Sequence, residues 1–178
     1  VHQNMKKIFF EDEQRFGVAQ YKFNDDMPFW VEEGGAEYFG YYIIGKNNLA
    51  DYKKIMKQRL KSFRKCAKKG IKLKDVERAE DAFKLRSQCD DGFEYVGGQW
   101  ATAYLASLSG SNQKVFFDFY EDIAELELEK REEGEIHQGW RESFRKNFKM
   151  SYDDFLIEFE TFIDLKSKEQ LKILDQIN

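Results

Sequence analysis

Apolar residues recur along most of the chain at intervals of three and four positions. The longest amphipathic runs cover Leu49 to Lys69 and Gln113 to Glu132. Steps of four continue in the last part of the chain, at Trp140, Phe144 and Phe148. Residues three and four apart lie on one face of a helix, whereas a strand needs alternation with a period of two. The pattern therefore predicts an all-α, mainly helical fold with few strands.

Residues that cap or interrupt helices set the expected boundaries in the first half of the chain. Pro28 is tolerated in the first turn of a helix, and this helix is expected to continue to about Ile44. Val76 to Phe83 is expected to form a short helix. Gly92 to Gly98 is rich in glycine, which is unfavourable inside helices, so it is expected to lead into a buried helix from Gln99 to Leu108.

A helix start is also encoded near the end of the chain. Ser151 and Asp154 are three positions apart, which resembles a capping box in which each side chain satisfies a backbone group of the first turn. Phe155, Phe159 and Phe162 follow at helical spacing and are expected to face inward. The last third of the chain is therefore predicted to supply packing rather than chemistry.

Composition bounds the domain organisation and excludes some classes of partner. With 178 residues and 42% hydrophobic residues, the chain is expected to fold as a single helical domain over residues 1–178. Its net charge of -4 provides no basic excess for neutralising phosphates, so nucleic acid is not expected as a partner. No apolar run approaches the roughly 18 residues that a membrane span needs, so none is predicted.

The two cysteines, Cys66 and Cys89, lack the spacing of a metal site. A single potential pair does not fix the redox compartment, and free buried thiols are the favoured interpretation. The compartment is therefore left open.

Acidic residues and glycines meet in the helix expected after Pro28, in the stretch Trp30-Val31-Glu32-Glu33-Gly34-Gly35-Ala36-Glu37-Tyr38. Glu33 and Glu37 lie one helical turn apart, where two carboxylates repel unless a cation or a hydrogen-bond donor lies between them. A bound zinc ion would supply that positive charge. The small residues Gly34 and Gly35 would allow a neighbouring helix or a substrate backbone to approach closely.

This stretch resembles the second ligand helix of the gluzincin (Glu-zincin) metallopeptidases, the clan of thermolysin and the zinc aminopeptidases, which reads W-x-x-E-G-x-x-E-Y. The resemblance implies that Glu33 ligates zinc and that Glu37 orients a zinc-binding histidine from outside the coordination sphere. The alternative interpretation is that Glu33 and Glu37 belong to a charged, solvated helix face. The fold implied is the helical C-terminal half of a gluzincin catalytic domain.

The resemblance also implies that part of the site precedes this chain. In the family, two histidine ligands and the general base come from an H-E-x-x-H helix, and this sequence has no such motif. Val1 to Phe10 fits the tail of that helix in two registers. In H-E-x-x-H-x-x-Q, Gln3 aligns and the last histidine precedes Val1, so that His2 is not a ligand. In H-E-x-x-H-Q, His2 is itself the second histidine ligand.

A second match lies downstream, where Tyr95 opens a segment that resembles the aminopeptidase signature Y-x-x-G-x-x-x-x-x-Y-L, with Gly98, Tyr104 and Leu105 at the matching positions. In that family the first tyrosine donates a hydrogen bond to the oxyanion of the tetrahedral intermediate. The resemblance therefore implies this role for Tyr95. The alternative is that Tyr95 is a core or capping residue at a helix start.

The expected function is that of a fragment of a zinc-dependent peptidase-like protein, truncated just after or within the H-E-x-x-H motif. The intact family domain holds zinc, which acts as a Lewis acid on a bound water, and cleaves a peptide or protein substrate. The 178 residues by themselves are expected to bind no zinc and to be inactive, so that their status as an enzyme is left open. Truncation would expose an apolar surface through which the fragment is expected to self-associate.

Two hypotheses compete with that of a truncated peptidase. One is a peptidase-like protein that has lost catalysis, and the other is an unrelated helical protein-interaction module. The sequence upstream of Val1 distinguishes them, because it would contain an intact motif, a degraded motif or an unrelated start. The choice of substrate and of exo or endo cleavage is not encoded in these residues.

Overall fold

The structure is a computed structural model, which describes residues 27–110, 112–132 and 139–177. These residues are mainly helical, and the described ranges contain no strand. The prediction of an all-α fold is therefore confirmed. The expected helix tail from Val1 to Phe10 lies outside the described residues.

The helices are numbered in chain order. They are α1 (Phe29–Lys46), α2 (Tyr52–Ala67), α3 (Ala79–Leu85), α4 (Phe93–Leu108), α5 (Lys114–Glu132), α6 (Gly139–Phe148), α7 (Tyr152–Asp164) and α8 (Ser167–Leu171). Two short 3-10 helices lie at Leu73–Val76 and Lys172–Asp175. The boundaries predicted for α1, α2, α5 and α6 differ from these by a few residues at most.

The chain divides into two compact units. Among the described residues, one unit consists of Met27 and residues 112–132 and 139–155, and the other of residues 28–110 and 156–177. The single domain over residues 1–178 stays a prediction.

In the first of these units, α5 packs against α6 through phenylalanine rings. Phe144 and Phe148 have ring centroids 4.7 Å apart, and Phe148 lies 5.1 Å from Phe116 and 5.5 Å from Phe119. The buried hydroxyl of Ser143 donates a hydrogen bond of 2.6 Å to the carbonyl of Phe119, so the polar group that enters this layer is satisfied. The three- and four-residue spacing in the sequence predicted these inward faces correctly.

In the second unit, a stack of rings joins α2, α4 and α7. Trp100 lies 6.2 Å from both Phe63 and Phe162, and Tyr104 stacks on Phe162 at 4.6 Å. Trp100 and Phe63 are fully buried, which gives this unit its main apolar core. On the α2 side, Asp51 caps the helix by accepting a hydrogen bond from the backbone N–H of Lys54.

Helices α1 and α4 approach so closely that only glycine fits at the contact. A Cβ atom on Gly34 would lie 2.2 Å from the carbonyl carbon of Gly98, and a Cβ atom on Gly98 would lie 2.6 Å from the carbonyl oxygen of Trp30. Both distances are far below van der Waals contact. The expectation that small residues in α1 admit a neighbouring helix is therefore met by Gly34, and the neighbour is α4.

This contact explains one error of the sequence analysis. Gly97 and Gly98 were predicted to precede a helix that starts at Gln99, but α4 starts at Phe93 and contains both glycines. Packing against α1 outweighs the low helix propensity of glycine at Gly98. The chain turns into the helix at Gly92 instead, whose φ of +70° is a conformation that favours glycine.

Two smaller expectations were also wrong. The short helix begins three residues later than predicted, at Ala79, because residues Leu73–Val76 form a separate 3-10 turn. The run that begins at Leu49 was expected to be helical, but Leu49 precedes α2 and is exposed.

The helix start expected at Ser151 is present. The hydroxyl of Ser151 accepts a hydrogen bond of 3.0 Å from the N–H of Asp154, as an N-cap residue does, and donates one of 2.6 Å to the Asp154 carboxylate.

The two cysteines form a disulfide, so the interpretation of free thiols was wrong. Cys66 lies in the last turn of α2, and Cys89 follows α3, 23 positions later. Their Cα atoms are 5.3 Å apart, which is the usual separation for a disulfide. Spacing along the sequence did not reveal this proximity because the turn through α3 creates it.

Candidate functional site

Helix α1 carries both acids that the sequence analysis selected. Glu33 and Glu37 are half-buried and one turn apart, on a helix whose buried residues include Trp30, Gly34 and Tyr38. The buried side of α1 packs against α4 at Gly34. Glu33 and Glu37 therefore lie at the border between this buried side and the exposed side of the helix.

Glu37 is held by a cation from another helix. The Nη2 atom of Arg59, on α2, lies 2.6 Å from Oε2 of Glu37, and both side chains are less than one third exposed. A charge-assisted hydrogen bond of this length is a strong one. The cation that relieves the repulsion between Glu33 and Glu37 is thus, at Glu37, an arginine.

Arg59 also connects this acid to α4. Its Nε donates a hydrogen bond of 3.2 Å to Oε1 of Gln99, which is fully buried. The amide nitrogen of Gln99 is buried and has no hydrogen-bond partner among the described residues. Glu37, Arg59 and Gln99 therefore form a polar network across three helices.

Tyr95 lies in the first turn of α4 and is half-buried. Burial, and then the negative charge of Glu33, raise the pKa of the Tyr95 hydroxyl above its ordinary value, while Arg86 acts in the opposite direction. Glu33 is therefore one of the charges that act on the Tyr95 hydroxyl. The close packing of α1 on α4 at Gly34 and Gly98 is what brings the two helices together here.

An ion pair with one buried partner lies beside Tyr95. Glu94 is fully buried, and its Oε1 accepts hydrogen bonds of 3.1 Å and 2.9 Å from Nε and Nη2 of Arg86. Within the part of the chain that the structure describes, the other oxygen, Oε2, is buried without a hydrogen-bond partner. Arg86 has a side chain that is 43% exposed, and its guanidinium lies over the rings of Phe83 at 4.6 Å and Tyr95 at 5.6 Å.

The described residues do not complete a zinc site. A zinc site needs at least three protein ligands, and no group of three histidine, cysteine, aspartate or glutamate side chains with suitable geometry occurs among residues 27–110, 112–132 and 139–177. His2 lies outside these ranges, so its assignment as a ligand stays a prediction. Glu33 is then a single candidate ligand, and no reaction step through zinc follows from the described residues.

The comparisons with known proteins give no further lead. No family model matches the chain, and no curated protein or solved structure is significantly similar to it. The described helices also include none with both the length and the hydropathy to cross a bilayer. The gluzincin resemblance therefore rests on the residues quoted from the sequence.

Sequence reasoning did not identify Arg59, Arg86 and Glu94 as parts of the site. A signal for the last was present, because Glu94 is the sole charged residue in the sequence of α4, which is otherwise apolar, small or neutral. A charge in such a helix needs a partner when it is buried. The arginines gave no such signal, since each lies among several exposed basic residues.

Proposed function

We propose that this chain is the C-terminal helical part of a zinc peptidase-like protein, in which α1 contributes Glu33 as a zinc ligand. In this proposal Glu37 holds a zinc-binding histidine, Tyr95 donates a hydrogen bond to the reacting carbonyl oxygen, and the substrate is a peptide or protein. In this proposal the general base and the histidine ligands come from an H-E-x-x-H helix, a motif that the sequence itself does not contain.

The observation that carries the proposal is the contact between α1 and α4. It joins the two segments that resemble gluzincin motifs, 30–38 and 95–105, through Gly34 and Gly98, which are positions of those same motifs. It also brings the negative charge of Glu33 to bear on the Tyr95 hydroxyl. A solvated helix face would not require the glycine contact.

The polar network around Glu37 is compatible with its proposed role. Arg59 occupies Oε2 of Glu37, and a carboxylate has a second oxygen that can accept a hydrogen bond from an imidazole N–H. Arg59 would hold Glu37 in the orientation needed for that purpose. The proposal depends on histidines from an H-E-x-x-H helix that precedes Val1 or, in the other register, includes His2.

Two experiments test the proposal. The first is to read the coding sequence upstream of Val1, where an intact H-E-x-x-H motif is expected. A degraded motif would instead indicate a peptidase-like protein without catalysis, and an unrelated start would contradict the proposal.

The second experiment measures the zinc content of the protein extended through that motif, by elemental mass spectrometry after dialysis. About one zinc per chain is expected, because three ligands are then present. Glu33→Gln should remove most of this zinc, whereas Glu32→Gln is the matched control in the same turn and should retain it. Stoichiometric zinc in the Glu33→Gln protein would exclude Glu33 as a ligand.

A further inference from the structure

Arg86 occupies an unusual position for a surface arginine. Its guanidinium is anchored on one side by two hydrogen bonds to the buried Glu94 and is covered by the rings of Phe83 and Tyr95. The same Nη2 atom that binds Glu94 also lies 3.5 Å from the hydroxyl oxygen of Tyr95, at the long end of the hydrogen-bond range. A buried carboxylate thus fixes a cation against a phenol.

This arrangement has a definite consequence for the hydroxyl of Tyr95. A phenol has one hydrogen to donate and lone pairs that accept. When Arg86 donates toward the oxygen, the hydrogen of Tyr95 is directed to a different acceptor, and the adjacent positive charge makes it a stronger donor. The charged groups that act on Tyr95 are Glu33 on α1, Arg86 after α3 and Glu94 on α4 itself.

We propose that Arg86 is a positioning residue for Tyr95: held by the buried Glu94, it orients the phenol and polarises its hydroxyl as a hydrogen-bond donor. The identity of the acceptor rests on the proposed function, in which it is the carbonyl oxygen of a peptide. Arg86 itself does not contact substrate in this proposal. Glu94 acts one step further away, by fixing the guanidinium.

Burial explains why an anchored arginine is used here. An exposed arginine has many side-chain conformations and loses this freedom when it is fixed. Glu94 has no exposed surface, so water cannot solvate its carboxylate. If Arg86 moved away, a buried charge would be left without a partner, which is unfavourable. The ring of Phe83 covers the guanidinium on another side, which further restricts its movement.

The test is nuclear magnetic resonance of the 178-residue chain labelled with ¹³C at the Cζ atom of tyrosine, at neutral pH. The Tyr95 signal is assigned by its loss in Tyr95→Phe. We expect Arg86→Gln to move the Tyr95 signal several-fold more than any other tyrosine signal, because Cζ is bonded to the hydroxyl oxygen that loses its donor. Arg86→Lys, which keeps the charge, should restore part of the shift.

Lys84→Gln is the matched control, since it removes the same charge from an exposed side chain of α3 that pairs with Asp81. It should leave the Tyr95 signal unchanged. If Arg86→Gln leaves Glu94 unpaired and prevents folding, the double variant Glu94→Gln with Arg86→Gln removes both charges and is measured instead.

Equal shifts from the Arg86 and Lys84 variants, or an unmoved Tyr95 signal in a folded Arg86 variant, would overturn the proposal. The measurement needs neither zinc nor peptidase activity. Its failure is therefore distinguishable from failure of the proposed function, which is tested by the zinc content of the extended protein.

Discussion

The helix pair α5–α6 and the helix pair α1–α4 are built from opposite kinds of residue. Between α5 and α6, four phenylalanine rings fill the interface, and the buried hydroxyl of Ser143 has its partner. Between α1 and α4, two glycines bring the backbones together, and partly or fully buried polar groups line the contact. The α5–α6 pair is stabilised by the large apolar area that its rings bury. The α1–α4 pair buries less side-chain area at the glycines, but its two backbones lie closer together.

The difference also extends to unsatisfied polar atoms. Among the described residues, Oε2 of Glu94, Nε2 of Gln99 and Nε1 of Trp100 are buried on α4 without hydrogen-bond partners. Unsatisfied buried polar groups destabilise a fold, and a functional role is one explanation for them. The α1–α4 pair is therefore where chemistry is expected, whereas α5–α6 depends on its packing.

The largest expected effect breaks the apolar pair. Phe144→Ala should lower the free energy of unfolding by about 4 kcal/mol, because the ring is buried and contacts Phe119, Phe148 and Phe155. Chemical denaturation followed by circular dichroism measures this change. Phe117→Ala on α5 is the control, since that ring is half exposed and its loss should change stability by less than about 1 kcal/mol.

A somewhat smaller effect is expected from breaking the glycine contact. Gly34→Ala places a methyl group on the backbone of Gly98, so the helices must separate, and the free energy of unfolding should fall by about 3 kcal/mol. Gly40→Ala is the control in the same helix, because none of the described residues lies within 4 Å of its added Cβ. That variant should be more stable than the parent by about 0.5 to 1 kcal/mol. Equal responses at the two positions would contradict the close contact.

Reduction of the disulfide should act on the unit that contains α1 and α4. Removal of both cysteines, as Cys66→Ser with Cys89→Ser, should lower the free energy of unfolding by about 3 kcal/mol, because the loop between them is no longer constrained in the unfolded chain. Denaturation of the parent with and without a reducing agent gives the same comparison. The free energy of unfolding of the double variant should not change with the reducing agent. A change in that variant would mean that the reducing agent acts on stability other than through the disulfide.

The smallest expected effect concerns Asp122 on α5, which is linked to Asn147 and Lys146 on α6. Burial tends to raise the pKa of Asp122, but hydrogen bonds from Asn147 and Lys146 and the charge of Lys146 bring it below its ordinary value. A lowered pKa in the folded state stabilises the protein above the ordinary aspartate pKa of about 3.9, and this stabilisation is lost as pH falls through the lowered pKa. Asp122→Asn should therefore reduce the loss of unfolding free energy between neutral and acidic pH by about 1 kcal/mol or less.

The measurement is a series of denaturation curves between neutral pH and strongly acidic pH. Asp118→Asn is the comparison variant one turn earlier, where the partner Lys114 is an exposed side chain of the same helix. A profile unchanged by Asp122→Asn would contradict the link between the helices.

The helices were largely predictable from the sequence, because the spacing of Phe116 and Phe119 marks the buried face of α5 and the spacing of Phe144 and Phe148 marks that of α6. Gly98 was misinterpreted because its low helix propensity is a local property, whereas the contact with Gly34 is 64 positions away in the chain. Where helix propensity and tertiary packing disagree, the sequence pattern reports only the helix propensity.

The candidate site was predictable only in part. Glu33, Glu37 and Tyr95 were selected from two motif-like segments, and their roles as ligand, orienting acid and hydrogen-bond donor stay predictions. The partners Arg59 and Arg86 were not selected. Arg59 on α2 pairs with Glu37 on α1, and Arg86, just after α3, pairs with Glu94 on α4. An ion pair between distant segments leaves no periodic pattern in the sequence.

The disulfide between Cys66 and Cys89 has a consequence for limited proteolysis. The turn at Lys68, Lys69 and Gly70 is exposed and lies inside the loop that the disulfide closes. A tryptic cut there would produce two peptides that migrate as one species until the sample is reduced. The end of α2 and the segment that leads into α4 thus remain covalently joined even when the peptide chain between them is broken.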